Sequence, residues 1–97
     1  IYLWESNNAR LAFNKVLGNG YGIVVDTSDN TLAKRNLIKN NDVGIYLYCA
    51  TNFQEVGNRF RNNGQDIVDE GCPTMNSTNA PEAESSTSDL PVSPVEP

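Results

Sequence analysis

The chain has 97 residues, with 12 acidic and 7 basic side chains, a net charge of −5 and no histidine. That balance leaves no basic surplus for nucleic acid, and the missing imidazole removes His-based acid–base work, His metal ligands and Ser–His or Cys–His nucleophile pairs. The charge is also divided: residues 1–72 hold all seven Lys and Arg against eight acids, while Glu82, Glu84, Asp89 and Glu96 make the remainder acidic.

From the N-terminus the chain repeats every 22 residues. Gly22–Val43 and Gly44–Gln65 are two copies, and Ile1–Tyr21 falls on the same columns without an opening glycine. A fixed period in this range signals stacked supersecondary units. In the first copy Ile1 and Leu3 alternate with Tyr2 and Trp4, the two-residue periodicity of a strand. Ile1, Leu3, Leu11 and Val16 are expected inside, with Tyr2 and Trp4 outside. The second copy repeats this with Ile23, Val25, Ala33 and Ile38 inside. In the third, Ile45, Leu47 and Phe60 fill the same places, but Glu55 falls on the column of Leu11 and Ala33. A carboxylate inside is costly, so a local slip is expected here, with Val56 taking the core place and Gly57 permitting the bend.

Between the short strands lie Asn, Asp, Ser, Thr and Gly, which turn a backbone. Several strands and bends within 22 residues leave no room for a helix of ordinary length. Each copy is therefore one coil of a strand-only solenoid, every strand bonding to its counterpart about 4.8 Å away. Three asparagine columns agree: Asn8, Asn30 and Asn52; Asn14, Asn36 and Asn58; Asn19, Asn41 and Asn63. An amide both donates and accepts, so stacked carboxamides can form ladders, and Asn also tolerates left-handed corners.

The pattern stops at Gly71-Cys72-Pro73, since Pro cannot continue a ladder. Residues 73–97 are rich in Pro, Ser, Thr and Glu and almost free of apolar residues, the composition of a disordered linker or tail. Two domains are thus expected, coils over 1–72 and a tail over 73–97. The chain opens in mid-strand at Ile1, which suggests further coils N-terminal to it and makes this the C-terminal end of a longer solenoid. No transmembrane run is present, so no membrane insertion is expected.

The G-I-x-L…N…N-x-[I/V/F]-x-N-N pattern over about Ile1–Gly71 resembles the repeat of right-handed parallel β-helix proteins, the pectin-lyase-like superfold. Its nearest likeness is to the repeats of carbohydrate-binding and sugar-hydrolase proteins and of the NosD type. A leucine-rich repeat fits worse, because Gly22–Val43 contains only Leu32 and Leu37. The resemblance implies an all-β, right-handed parallel β-helix of about three coils in an extracellular, cell-surface or periplasmic protein that binds or processes polysaccharide. It implies no particular activity, since such folds host many functions. Epimerase-like members carry a catalytic His on the strand matching Gly22–Asp26, which reads Gly-Ile-Val-Val-Asp here.

The outward columns of the Gly-Ile strand read Tyr2, Val24, Tyr46, Val68 and Trp4, Asp26, Tyr48, Glu70. Aromatic faces stack on pyranose rings while carboxylates accept hydroxyl hydrogen bonds, so Trp4, Asp26, Tyr46, Tyr48 and Tyr2 are the candidate glycan-binding residues. The same rings could equally serve cross-rung packing of the sheet. Asp26 and Glu70 lie two rungs apart, about 9.6 Å, at the edge of the range for inverting glycoside hydrolysis; as solvated carboxylates they need no such role. Lys15, Lys39, Arg59 and Arg61 form a basic stripe on another face, suited to acidic glycans or simply to solubility. No catalytic residue, cofactor or metal site is expected in these coils.

Cys49 and Cys72 are one rung and one residue apart, roughly 5.8 Å between Cα atoms. That is within the disulfide range and in keeping with an oxidising compartment. Three functions remain open on the residues: a binding or structural module, the C-terminal part of a polysaccharide lyase, hydrolase or epimerase with its catalytic coils upstream, or a scaffold or adhesin arm without a glycan ligand.

Overall fold

The computed structural model describes residues 1–72; the tail expected over 73–97 lies outside them. The described residues form ten strands: β1 (Tyr2–Trp4), β2 (Arg10–Ala12), β3 (Lys15–Leu17), β4 (Tyr21–Asp26), β5 (Leu32–Lys34), β6 (Leu37–Lys39), β7 (Val43–Tyr48), β8 (Gln54–Val56), β9 (Arg59–Arg61) and β10 (Gln65–Asp69). Every third strand joins the same sheet. Sheet A runs β1-β4-β7-β10, sheet B β2-β5-β8 and sheet C β3-β6-β9, all parallel. The result is a three-sided parallel β-solenoid of about three turns, the β-helix that the repeat implied. The register has no slip: Leu3 pairs with Val25 and Val25 with Leu47, Leu11 with Ala33, Val16 with Ile38 and Ile38 with Phe60.

Four left-handed corners per coil close the triangle. The columns are Glu5, Thr27, Cys49, Gly71; Asn8, Asn30, Asn52; Phe13, Arg35, Gly57; and Gly18, Asn40, Asn62, every member at positive φ. Such a conformation strains a residue with a Cβ, least of all Asn, which explains the asparagines at the second and fourth corners. Ile23, Val25, Ile38, Ile45, Leu47 and Val16 make the buried core, with Leu3, Leu11 and Phe60 packed against it.

Polar ladders line two edges of this core. Asn36 Oδ1 accepts from the backbone N–H (2.9 Å) and Nδ2 (3.0 Å) of Asn14, while its own Nδ2 donates to Asn58 Oδ1 and the Leu11 carbonyl. Asn41 repeats the arrangement: its Oδ1 accepts from the Asn19 N–H, and its Nδ2 donates to Asn63 Oδ1 and the Val16 carbonyl. Each amide oxygen thereby takes up the backbone N–H of the residue one rung below, at Asn14 or Asn19, while each Nδ2 reaches a strand carbonyl. The third column is interrupted. Asn30 donates to Asn8 (2.7 Å), but Asn52 donates to Asp29 Oδ1 rather than to Asn30, because a carboxylate on the adjacent column is the stronger acceptor.

The slip expected in the third coil does not occur. Glu55 pairs in register with Ala33, and Val56 with Lys34, leaving Val56 50% exposed. Glu55 is exposed as well and accepts a hydrogen bond from Asn58. It lies on the last described rung of sheet B, where no following strand covers it, so its carboxylate keeps its water.

Candidate functional site

Sheet A presents the only aromatic-rich face among the described residues. Strand alternation puts Ile23, Val25, Ile45 and Leu47 in the core and their neighbours outside. Pairing then stacks Tyr2 on Val24 and Tyr46, and Trp4 on Asp26 and Tyr48. Val68 continues the first column, and Glu70, following the Asp69 that pairs with Leu47, falls on the Tyr48 rung. Trp4 and Tyr2 are more than half exposed, at 60% and 63%, so their rings are open to a ligand.

The carboxylate at the centre is held. Asp26 Oδ2 accepts from the Tyr2 hydroxyl at 2.9 Å, and Oδ1 accepts from the Thr27 hydroxyl at 2.8 Å. The hydrogen bond to Asp26, with smaller effects of burial and of the Asp26 charge, raises the Tyr2 phenol above its ordinary 10.0. Tyr46 is raised too, first by burial and then by the charge of Glu70 and its ionisable neighbours. Both phenols are thus hydroxyl donors throughout the neutral range. The outward positions of sheet A carry no Lys or Arg, so the face combines ring surfaces, hydroxyl donors and carboxylate acceptors with a negative potential.

Alternation by itself does not reveal Tyr21. Its ring stacks on that of Tyr46, centroids 5.0 Å apart and planes 14° from parallel. Tyr21 stays outside because the chain turns at Gly22, where Gly22 and Ile23 are buried in succession. A Cβ on Gly22 would lie 2.7 Å from the Gly44 carbonyl oxygen, so the bend requires glycine. The opening glycine of each copy was the signal available: the residue preceding it starts the strand on the outer face.

The other candidates are apart from this face. Asp26 and Glu70 are separated by Tyr48 and share no hydrogen bond; each remains a surface carboxylate on the platform. Cys49 and Cys72 are joined, S–S 2.00 Å, with Cα atoms 4.0 Å apart. The chain doubles back at the left-handed Gly71, whose carbonyl accepts from the Cys49 N–H, and this brings Cys72 closer than an extended strand would. The basic stripe lies on sheet C, where Leu37, Lys39, Arg59 and Arg61 line a shallow depression of about 250 Å³. At the corner between sheets A and B, Asp29 accepts from Thr51 and Asn52, and these hydrogen bonds hold its carboxyl below the ordinary range.

Compared with known proteins, the chain matches over residues 1–88 the model of a family described as periplasmic copper-binding protein (NosD). No curated protein and no solved structure matches it. The donors of these coils do not fit copper. Copper sites draw on imidazole, thiolate or thioether, yet the coils have no His and no Met, and their two cysteines are bonded to each other; the one methionine, Met75, lies outside the described residues. Among the described residues no group of three or more His, Cys, Asp and Glu comes together, and no copper chemistry is derived from them.

Proposed function

The chain belongs to the family described as periplasmic copper-binding protein (NosD), and from that membership we propose that it is an exported, periplasmic β-helix module that binds polysaccharide on sheet A. The observation that supports this is the in-register column Trp4–Asp26–Tyr48 beside Tyr2 and Tyr46. A sugar chain laid along the solenoid axis meets one ring or carboxylate per rung, about 4.8 Å apart. Trp4 and Tyr48 supply stacking surface, Asp26 accepts hydroxyl hydrogen bonds, and Tyr21 holds Tyr46 in place from behind. The absence of cations on this face favours neutral over acidic saccharides.

The test is calorimetric titration of the full chain with neutral and acidic oligosaccharides. Tyr48→Ala removes a ring without touching the core, so it should weaken binding by ~1 kcal/mol or more while leaving the thermal midpoint near its original value. Unchanged affinity in that variant would remove the platform as the site. A chain that binds no saccharide would be a scaffold, its rings serving sheet packing alone.

A further inference from the structure

The seven cations of the chain are sorted by face. Arg10 and Lys34 stand on sheet B, Lys15, Lys39, Arg59 and Arg61 on sheet C, and Arg35 on the corner between them. The outward positions of these two sheets are Arg10, Ala12, Leu32, Lys34, Gln54, Val56 and then Lys15, Leu17, Leu37, Lys39, Arg59, Arg61. None is acidic. A face built only for solubility mixes both signs; the outward columns here carry cations interleaved with leucines, as Lys15–Leu37–Arg59 and Leu17–Lys39–Arg61, and the one carboxylate of these two sheets, the exposed Glu55, stands on the column of Ala33 at the last described rung.

The corner between the two sheets carries a second feature. Phe13 is 71% exposed and adopts φ 60°, a left-handed conformation that a bulky side chain seldom takes. Its column-mate in the third coil is Gly57, at φ 66°, so the turn itself calls for glycine and gains nothing from an aromatic ring. Arg35 stands on the next rung, directly in line with Phe13, with Arg10 and Lys15 on the flanking strands. An exposed aromatic ring on a ridge, with a cation on its own corner column and one on each flanking strand, is an arrangement suited to a lipid–water boundary.

We propose that the ridge between sheets B and C docks on an anionic lipid surface. Phe13 enters the headgroup region, the surrounding Lys and Arg meet lipid phosphates, and the depression lined by Leu37, Lys39, Arg59 and Arg61 takes one headgroup among its three cations. Docking needs no spanning element; the ridge attaches by charge and one ring. The acidic, aromatic sheet A lies on a different side of the triangle and stays turned to solvent. This attachment does not depend on sheet A having a saccharide ligand.

The test is co-sedimentation of the full chain with phosphatidylcholine vesicles and with vesicles also containing phosphatidylglycerol. The chain should pellet with the second kind alone and be released as salt shortens the screening length. Phe13→Gly installs the residue the same corner uses in the third coil, so it should fold at least as well and lose roughly tenfold or more in vesicle affinity. Arg59→Gln and Arg61→Gln should each cost roughly fivefold. The single tryptophan, Trp4 on sheet A, should keep its emission on vesicle binding. Equal binding to both vesicles, undiminished binding of Phe13→Gly, or a blue shift of Trp4 would each overturn the proposal. So would capture by soluble polyphosphate that Phe13→Gly leaves intact, since the ligand would then be a polyanion in solution.

Discussion

Asn36 receives both amide hydrogens that Asn14 can direct at it: the backbone N–H at 2.9 Å and the side-chain Nδ2 at 3.0 Å meet on one oxygen. Asn36 is buried, and its own Nδ2 reaches the Leu11 carbonyl and Asn58. Asn36→Ala therefore takes a partner from the Asn14 N–H, the Asn14 Nδ2 and the Leu11 carbonyl at once. At about 1–3 kcal/mol for each buried group left unpaired, denaturant unfolding should show a loss of ~3 kcal/mol or more. Asn30→Gly breaks one exposed bond and keeps a residue suited to the φ of 61° at that corner, and the same measurement should register less than ~1 kcal/mol.

The corners give a prediction of opposite sign. Arg35 holds φ 55° where Gly57 holds 66° one coil later. Arg35→Gly should stabilise the coils by ~1 kcal/mol, the left-handed strain removed. Gly44→Ala should do the reverse. Its Cβ would stand 2.6 Å from the Asp66 carbonyl oxygen, a backbone atom that cannot step aside, and ~2 kcal/mol of overpacking is expected. Thermal midpoints of the two variants should move in opposite directions.

The tyrosines supply the pH dependence. Tyr2 and Tyr46 hold their protons more tightly in the folded chain than the ordinary 10.0 allows. Their contribution to stability is therefore complete below pH 10 and is lost as pH rises through the raised folded values. An absorbance titration of the phenolate band should show late-titrating tyrosines. Asp26→Asn should return Tyr2 towards 10.0, because it removes the carboxylate that accepts its hydroxyl. If the titration is the same with and without Asp26, the Tyr2–Asp26 hydrogen bond does not form in solution.

Much of this was legible in the sequence because one spacing does most of the structural work. A 22-residue period with Ile23 over Ile45 and Asn36 over Asn58 fixes sheet, register and ladder together. The misreadings arise where a residue answers to something other than its column. Glu55 was expected to force a slip, but with no described strand above it there was no core to avoid. Asn52 was expected to reach Asn30, yet Asp29 on the adjacent column offered a charged acceptor. Tyr21 is invisible to alternation because the Gly22 bend, with Gly22 and Ile23 buried in succession, breaks the pattern that locates Tyr46 and Tyr48. The aromatic and carboxylate columns of sheet A were readable from alternation, whereas the sorting of cations onto two faces required the three-sided cross-section.

The disulfide is open to direct measurement. Cys49 and Cys72 join the corner of the third coil to the end of β10. Mass spectrometry after alkylation without reductant should find no reactive thiol. Cys72→Ser should lower stability by ~3 kcal/mol, the usual effect of a bridge closing a loop of this length. Hydrogen exchange should become faster in β10 first, since that strand has sheet neighbours on one side only among the described residues.

Because successive rungs are bonded residue to residue at an offset of 22, the solenoid behaves as a graduated rule. One inserted residue within a strand would turn every outward side chain after it to the inside, so changes of length are tolerated only as whole coils or at the corners. A duplicated coil leaves all existing contacts intact and adds one more graduation to each of the three faces. Sheet A and the ridge between sheets B and C therefore share one scale: a coil added under one is a coil added under the other, in a step of about 4.8 Å.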